Sequence, residues 1–421
     1  MTNDESPNHQ ITESPNSNHP ITESPNLFAA GMWLLALAAL LLTCGACSGA
    51  FYLVVPFVIK NQPSAIEVNI FLGAFAALGI LFGALFAWQG IRAVRHRASD
   101  VVARAFPPAL VWLLAFLLAL GLGMGALALA SFAALTFPPF HFLAAVLPSF
   151  ALLAYAARAL NVTSGMRALV AALGWGALGS TLLALSLEAM IGVIMLAGVG
   201  IALALTPDGV SQLDRLSVEL RALRALDEQT LMRFVFANPG IIVLMLVYFA
   251  GIVPLIEEAV KTLILAFVDP QRTCARDLVL WGLAAGVGFA MVESALNASI
   301  ALEMWVVVML ARVGATVMHA ANGVVMGQGW YAARIERRWS RLGVAYVVSV
   351  GLHSLWNVLV VGQAVSAVGF FGSTRPLRVE SWWLWLTLAA ALGLFTLTFG
   401  GMGWIVYAVR RVREPTEQKF S

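Results

Sequence analysis

The chain has 421 residues, of which 60% are hydrophobic and only 11% charged, with 25 Lys and Arg set against 22 Asp and Glu. Soluble domains carry about 25% charged residues, so a soluble globular protein is excluded. Apolar runs of about 20 residues point to membrane-spanning helices rather than to the ~10-residue alternating segments of a barrel. The net charge of +3 is small, and the basic residues cluster in short loops, which argues against nucleic acid as a partner.

Residues 1–26 repeat Glu-Ser-Pro-Asn three times, at Glu5, Glu13 and Glu23, and have almost nothing to bury, so a disordered tail is expected. The tail has no basic n-region, and the apolar run after it is too long for a cleavable signal peptide. Candidate spans follow at about 28–58, 66–91, 109–136, 140–157 and 166–205, forming an N-terminal transmembrane half (27–205) to which the sequence assigns no role. A polar, amphipathic connector (206–238) leads to spans at about 240–268, 278–300, 305–327, 343–365 and 382–408, the C-terminal half (239–408), and then to a basic tail (409–421). The fold class expected is all-α: a polytopic transmembrane helix bundle of about ten spans, with eight to eleven admissible. The 40 residues 166–205 can also be read as a hairpin, and Pro254 can turn 240–268 back on itself.

Basic loops set the orientation. Arg92, Arg95, Arg97 and Arg104, then Arg158 and Arg167, then Arg334, Arg337, Arg338 and Arg341 all fall on one side if ten spans are counted. The positive-inside rule places that side, and both termini, in the cytoplasm, most simply of a plasma (inner) membrane. Cys44 and Cys47 form a C-x-x-C inside the first span, where helix packing among small residues explains them better than redox or metal chemistry. Gly79-x-x-x-Gly83, Gly121 to Gly125 and Gly282 to Gly288 are further small-residue patterns that allow close helix approach.

Chemistry concentrates in four consecutive spans of the second half. An ionisable side chain at membrane depth is costly and marks a functional site by default. Glu257 and Glu258 are adjacent, and Lys261 lies three and four residues on, within reach of both carboxylates. The bland alternative is a buried ion pair, for which a second carboxylate is unnecessary. Phe289 and Glu293 share a face of the next span, and this glutamate needs a polar partner from another helix or must protonate. Arg312 and His319 lie two turns apart on one face of the third, and His353 and Asn357 lie one turn apart on the fourth, where Asn357 is placed to orient the ring or a substrate backbone. Each of these has a packing explanation alone: a protonated structural glutamate, or an interhelical hydrogen bond.

Together, Glu257, Glu258, Glu293, His319 and His353 admit two chemistries. A glutamate can activate water while histidines position it or the oxyanion. Alternatively Glu258, Glu293, His319 and His353 can ligate a divalent metal, zinc or cobalt, that lowers the pKa of its bound water. The first needs fewer groups to converge, so a site that works without a tightly bound metal is expected. H-E-x-x-H, G-x-S-x-G and a Walker A loop are absent.

The order EExxK (Glu257, Glu258, Lys261), FxxxE (Phe289, Glu293), His319 and HxxxN (His353, Asn357) resembles the PrsW family of intramembrane proteases, over about residues 240–365. That family is distantly similar to the CAAX-prenyl endopeptidase and bacteriocin-processing group. The resemblance implies cleavage of a peptide bond in a membrane-anchored protein, with the glutamates and histidines as catalytic candidates and Lys261, Phe289 and Asn357 in support. Family members often carry Asn after the FxxxE glutamate, where this chain has Ser294. The competing readings are a proton- or cation-coupled transporter using the same residues as a relay, or a non-catalytic membrane scaffold. Against transport, no internal repeat relates the halves, and the ionisable groups singled out fall in one half.

Overall fold

A computed structural model describes residues 27–59, 64–97, 106–161, 165–211, 239–297, 302–371 and 382–413, together with Val102, Asp214 and Val218. The tail at 1–26, most of the connector at 206–238 and the end of the basic tail lie outside the described residues.

Among the described residues, ten helices are long and apolar enough to cross a bilayer. They are α1 (Leu27–Val58), α2 (Ser64–Val94), α3 (Ala109–Ala128), α4 (Ala133–Leu160) and α5 (Met166–Ala204). The second half holds α6 (Gly240–Phe267), α7 (Ala275–Asn297), α8 (Trp305–Arg334), α9 (Trp339–Phe371) and α10 (Trp382–Arg413). Among the described residues there is no strand, so the fold is an all-α transmembrane bundle. The 166–205 run is one helix and not a hairpin, and α6 crosses despite Pro254. Alternation then brings the basic loops to one end. There Arg167 donates to the Arg97 carbonyl, Arg158 to Phe106, Arg334 to Val268, and Arg276 to Val412 and Arg413.

One expected boundary moves. Pro138-Pro139 reads as a break between spans three and four, but the break lies at Leu129–Phe132, and both prolines sit inside α4. A helical proline deprives the carbonyl four residues back of its donor. Here those carbonyls, Ala134 and Leu135, accept from Asn69 Nδ2 (3.0 Å) and Tyr52 Oη, side chains of α2 and α1. Asn69 Nδ2 also reaches the Tyr52 carbonyl (3.2 Å), which Pro56 frees within α1. One buried asparagine therefore repairs two proline defects and ties α1, α2 and α4 together.

The small-residue patterns behave unevenly. Gly79 approaches Leu41 and Gly45, and Gly83 approaches Leu42, in the α1–α2 crossing. Cys44 and Cys47 are exposed, so Gly45 and not the cysteines makes that contact. Gly121 and Gly125 face open space, and only Gly123 of that group is close to a neighbour, the Trp305 ring.

The α7–α8 crossing matters most for function. Gly282 packs against the Gly323 carbonyl, Gly286 against the His319 carbonyl and Gly327 against that of Leu278. Backbone touches backbone there, and nothing flexible can yield. Gly286→Ala is therefore expected to destabilise the protein by about 1–3 kcal/mol, the usual range for overpacking. It should also lower activity, because the contact that must move carries His319. Thermal unfolding and turnover measured on the same preparation check this, and an unchanged value of both would contradict it.

Candidate active site

The site sits where α6, α7, α8 and α9 meet, and irregular helix geometry puts it there. In α5 a π turn at Trp175–Ser180 lets Ser180 and Thr181 hydroxyls take the Gly176 carbonyl, and Trp175 Nε1 donates to Val260 O of α6 (2.9 Å). In α6 a second π turn, Val247–Ile252, precedes Pro254, and the α-helical geometry ends at Lys261 before a 3₁₀ turn at Leu263–Phe267. The broken end of α6 is held from outside, since Trp330 Nε1 donates to Thr262 Oγ1 (3.1 Å). π turns inside helices concentrate at functional sites because they re-aim the side chains that follow.

Lys261 is the hub. Its Nζ lies 2.8 Å from Glu258 Oε1, 2.9 Å from Glu257 Oε2 and 2.9 Å from His319 Nδ1, and 4.3 Å from the centre of the Phe289 ring. Lys261 thus holds both glutamates that its spacing places within reach. His319 Nδ1 accepts from the ammonium, so its Nε2 carries the proton and donates to Glu293 Oε2 at 2.6 Å. Both ring nitrogens of His319 are thereby used within the protein.

His353 Nδ1 donates to Glu258 Oε1 (2.8 Å), and its Nε2 stands 3.7 Å from Glu257 Oε2. That gap is too wide for a direct hydrogen bond and suits a bridging water. Glu257 Oε2, although buried beside Lys261, makes no aligned hydrogen bond. The His319 and His353 rings meet edge-on with centres 5.1 Å apart.

Glu293 takes its partners from α8 and its own helix. Arg312 Nη2 is 2.7 Å from Oε2, and Asn297 Nδ2 donates to Oε1 at 3.0 Å. Ser294, at the position where the family often has Asn, accepts from Arg312 Nε at 3.2 Å. Side-chain exposure rises from 1% at Lys261 through 9% at Glu257 to 26% at Glu293, so the cluster is most open on the Glu257–Glu293 side.

Two expectations are corrected. Asn357 does not orient His353; its Nδ2 donates to the Phe249 carbonyl (2.7 Å) inside the π turn of α6, bracing that irregularity. Glu293 is not among the donors that cluster for a metal. Glu257, Glu258, His319 and His353 each offer an atom within 4.8 Å of the others, whereas Glu293 stands behind His319. Two carboxylates and two imidazoles in that spacing are a chemically suitable set for a divalent cation.

Sequence reasoning also missed Glu188, which lies on α5 in the first half. It is close enough for the charges of Glu257, Lys261 and Glu293 to act on it, and its Oε1 is buried without a hydrogen-bond partner. Tyr248 of α6 donates to its backbone carbonyl (2.8 Å). The signal was present: Glu188 is the lone carboxylate in the 166–205 run, and an intramembrane acid is a functional candidate by default. Ionisable groups near the site are thus not confined to one half.

No curated protein and no solved structure matches the chain. Residues 220–391, which contain Glu257, Glu258, Lys261, Phe289, Glu293, His319, His353 and Asn357, match the family described as PrsW family intramembrane metalloprotease.

Proposed function

We propose that the protein is an intramembrane peptidase that hydrolyses a peptide bond of a membrane-anchored protein, with Glu257 as general base. The observation that carries this reading is the 3.7 Å gap between Glu257 Oε2 and His353 Nε2, beside a carboxylate with an unfilled acceptor position. A water in the gap gives one hydrogen to each atom, leaving a lone pair for the scissile carbonyl carbon. Glu257 takes the proton as the carbon–oxygen bond forms, and returns it to the amine nitrogen as the carbon–nitrogen bond breaks.

Glu258, fully engaged by Lys261 and His353, fixes the imidazole tautomer with its free lone pair on Nε2. Lys261 offsets one charge of the two carboxylates it shares and hands its third contact to His319, which with Glu293 and Arg312 closes the network on the exposed side. His319 therefore acts as a strut and not as a group that touches substrate.

A divalent metal fits the donor set, and Glu257, Glu258, His319 and His353 would hold it. Such an ion supplies a Lewis acid and a bound water of lowered pKa. The metal-free reading is supported by Lys261, whose ammonium already lies 2.8–2.9 Å from three of the four donor residues. The basic end, with both termini, is assigned to the cytoplasm of a plasma (inner) membrane on the positive-inside rule.

The test uses purified protein in detergent with single-span membrane proteins as substrates. Cleavage at one peptide bond, retained after chelation with no stoichiometric metal by elemental analysis, is the expected result. Proton-coupled uptake in proteoliposomes with no cleavage of any substrate would instead establish a transporter.

A further inference from the structure

A cavity of about 730 Å³, with no residue of the Glu–His cluster in its lining, lies between α8, α9 and α10. Away from the rim its lining is mostly apolar, with Met318, Leu352 and Leu397, and includes the polar side chains of Asn322, Gln328 and Thr396. Gly329, Gly400 and Gly401 are in its wall; of these, Gly400 faces open space, since a Cβ there would meet nothing within 4 Å. Its rim is at the basic end, where Arg341 and Arg411 stand with Glu336. Glu336 is shared between Arg338 (3.5 Å) and Arg341 (3.3 Å), while Arg411 is exposed and has no hydrogen bond or ion pair among the described residues.

We infer that this cavity is a binding site for one anionic phospholipid, with an acyl chain between α8, α9 and α10 and the phosphate at Arg411 and Arg341. Two observations carry this. The rim has a surplus of positive charge that Glu336 cannot balance, as expected of basic pockets between membrane helices that bind acidic headgroups. The interior is mostly apolar at a depth where the surrounding solvent is hydrocarbon.

The site lies between α10 and the two helices, α8 and α9, that carry His319 and His353. Native mass spectrometry of the full chain in detergent, titrated with phosphatidylglycerol or phosphatidylcholine of identical acyl chains, tests the assignment. The wild type is expected to retain one phosphatidylglycerol in preference to phosphatidylcholine. Gly400→Phe, which fills open space, should lose both lipids. Arg411→Glu should keep a lipid but reduce the headgroup preference at least fivefold, the factor expected from about one basic contact near the surface. Unfolding temperatures establish that each variant is folded; should Gly400→Phe fail to fold, the headgroup preference of Arg411→Glu decides alone. Equal retention of the two headgroups by the wild type, unchanged retention in folded Gly400→Phe, or an unchanged headgroup preference in folded Arg411→Glu overturns the proposal.

Discussion

Glu257→Gln is expected to lower peptide-bond cleavage by ~10²–10⁴-fold, the usual contribution of a positioned general base, without unfolding the protein. The substitution keeps the shape of the side chain and removes one of two negative charges that share Lys261. What remains is a single Glu258–Lys261 pair, so the buried charge is balanced and stability should hold or rise. Glu258→Gln should behave differently. An amide oxygen in place of Oε1 still accepts but carries no charge, so both the Lys261 and the His353 contacts weaken and the imidazole is held less firmly, which should lower turnover while also loosening the fold. His353→Ala removes the second contact of the attacking water. Its effect should not add to that of Glu257→Gln, because the two residues hold one molecule between them and groups acting as a unit are non-additive. Single-turnover cleavage with thermal unfolding on the same samples separates these outcomes. Full activity in Glu257→Gln, alone and combined with Glu258→Gln, would remove the base assignment.

Much of this site follows from helical spacing alone. Three- and four-residue separations put Lys261 beside both glutamates, and two turns put Arg312 and His319 on the face that meets Glu293. What spacing could not give is set by departures from regular helix. A π turn shifts the register of everything before it, so the partner of Asn357 became the Phe249 carbonyl and not the His353 ring. Pro138-Pro139 misled for a related reason. Proline marks a break only if its freed carbonyls go unpaired, and here Asn69 and Tyr52, some 70 and 80 residues away in sequence, pair them. The role of α5 was hidden because its contribution, Trp175 on Val260 and Glu188 near the cluster, depends on tertiary packing across the two halves.

Lys261→Met is expected to cost about 3–5 kcal/mol, the range for removing one partner of a buried ion pair. Methionine fills the volume of the stem but leaves Glu257 and Glu258, both buried, facing each other uncompensated, and leaves His319 Nδ1 without its donor. The same variant tests how lysine and metal relate. Lys261 Nζ holds the middle of the four-residue donor set, so an ammonium and a divalent ion compete for the same carboxylates. Removing the ammonium should open the set. Zinc added to Lys261→Met is then expected to raise its unfolding temperature, since a ligand bound only by the folded state stabilises by about 4 kcal/mol at a thousand times its dissociation constant. Wild-type protein, with the place already taken, should show little change. The double variant Lys261→Met with His353→Ala separates specific ligation from general salt effects, because it lacks one imidazole and should lose the zinc response. A wild-type protein that carries stoichiometric zinc, and unfolds at lower temperature once the zinc is stripped, would show that the ion displaces the lysine, and the metal-free mechanism would fall.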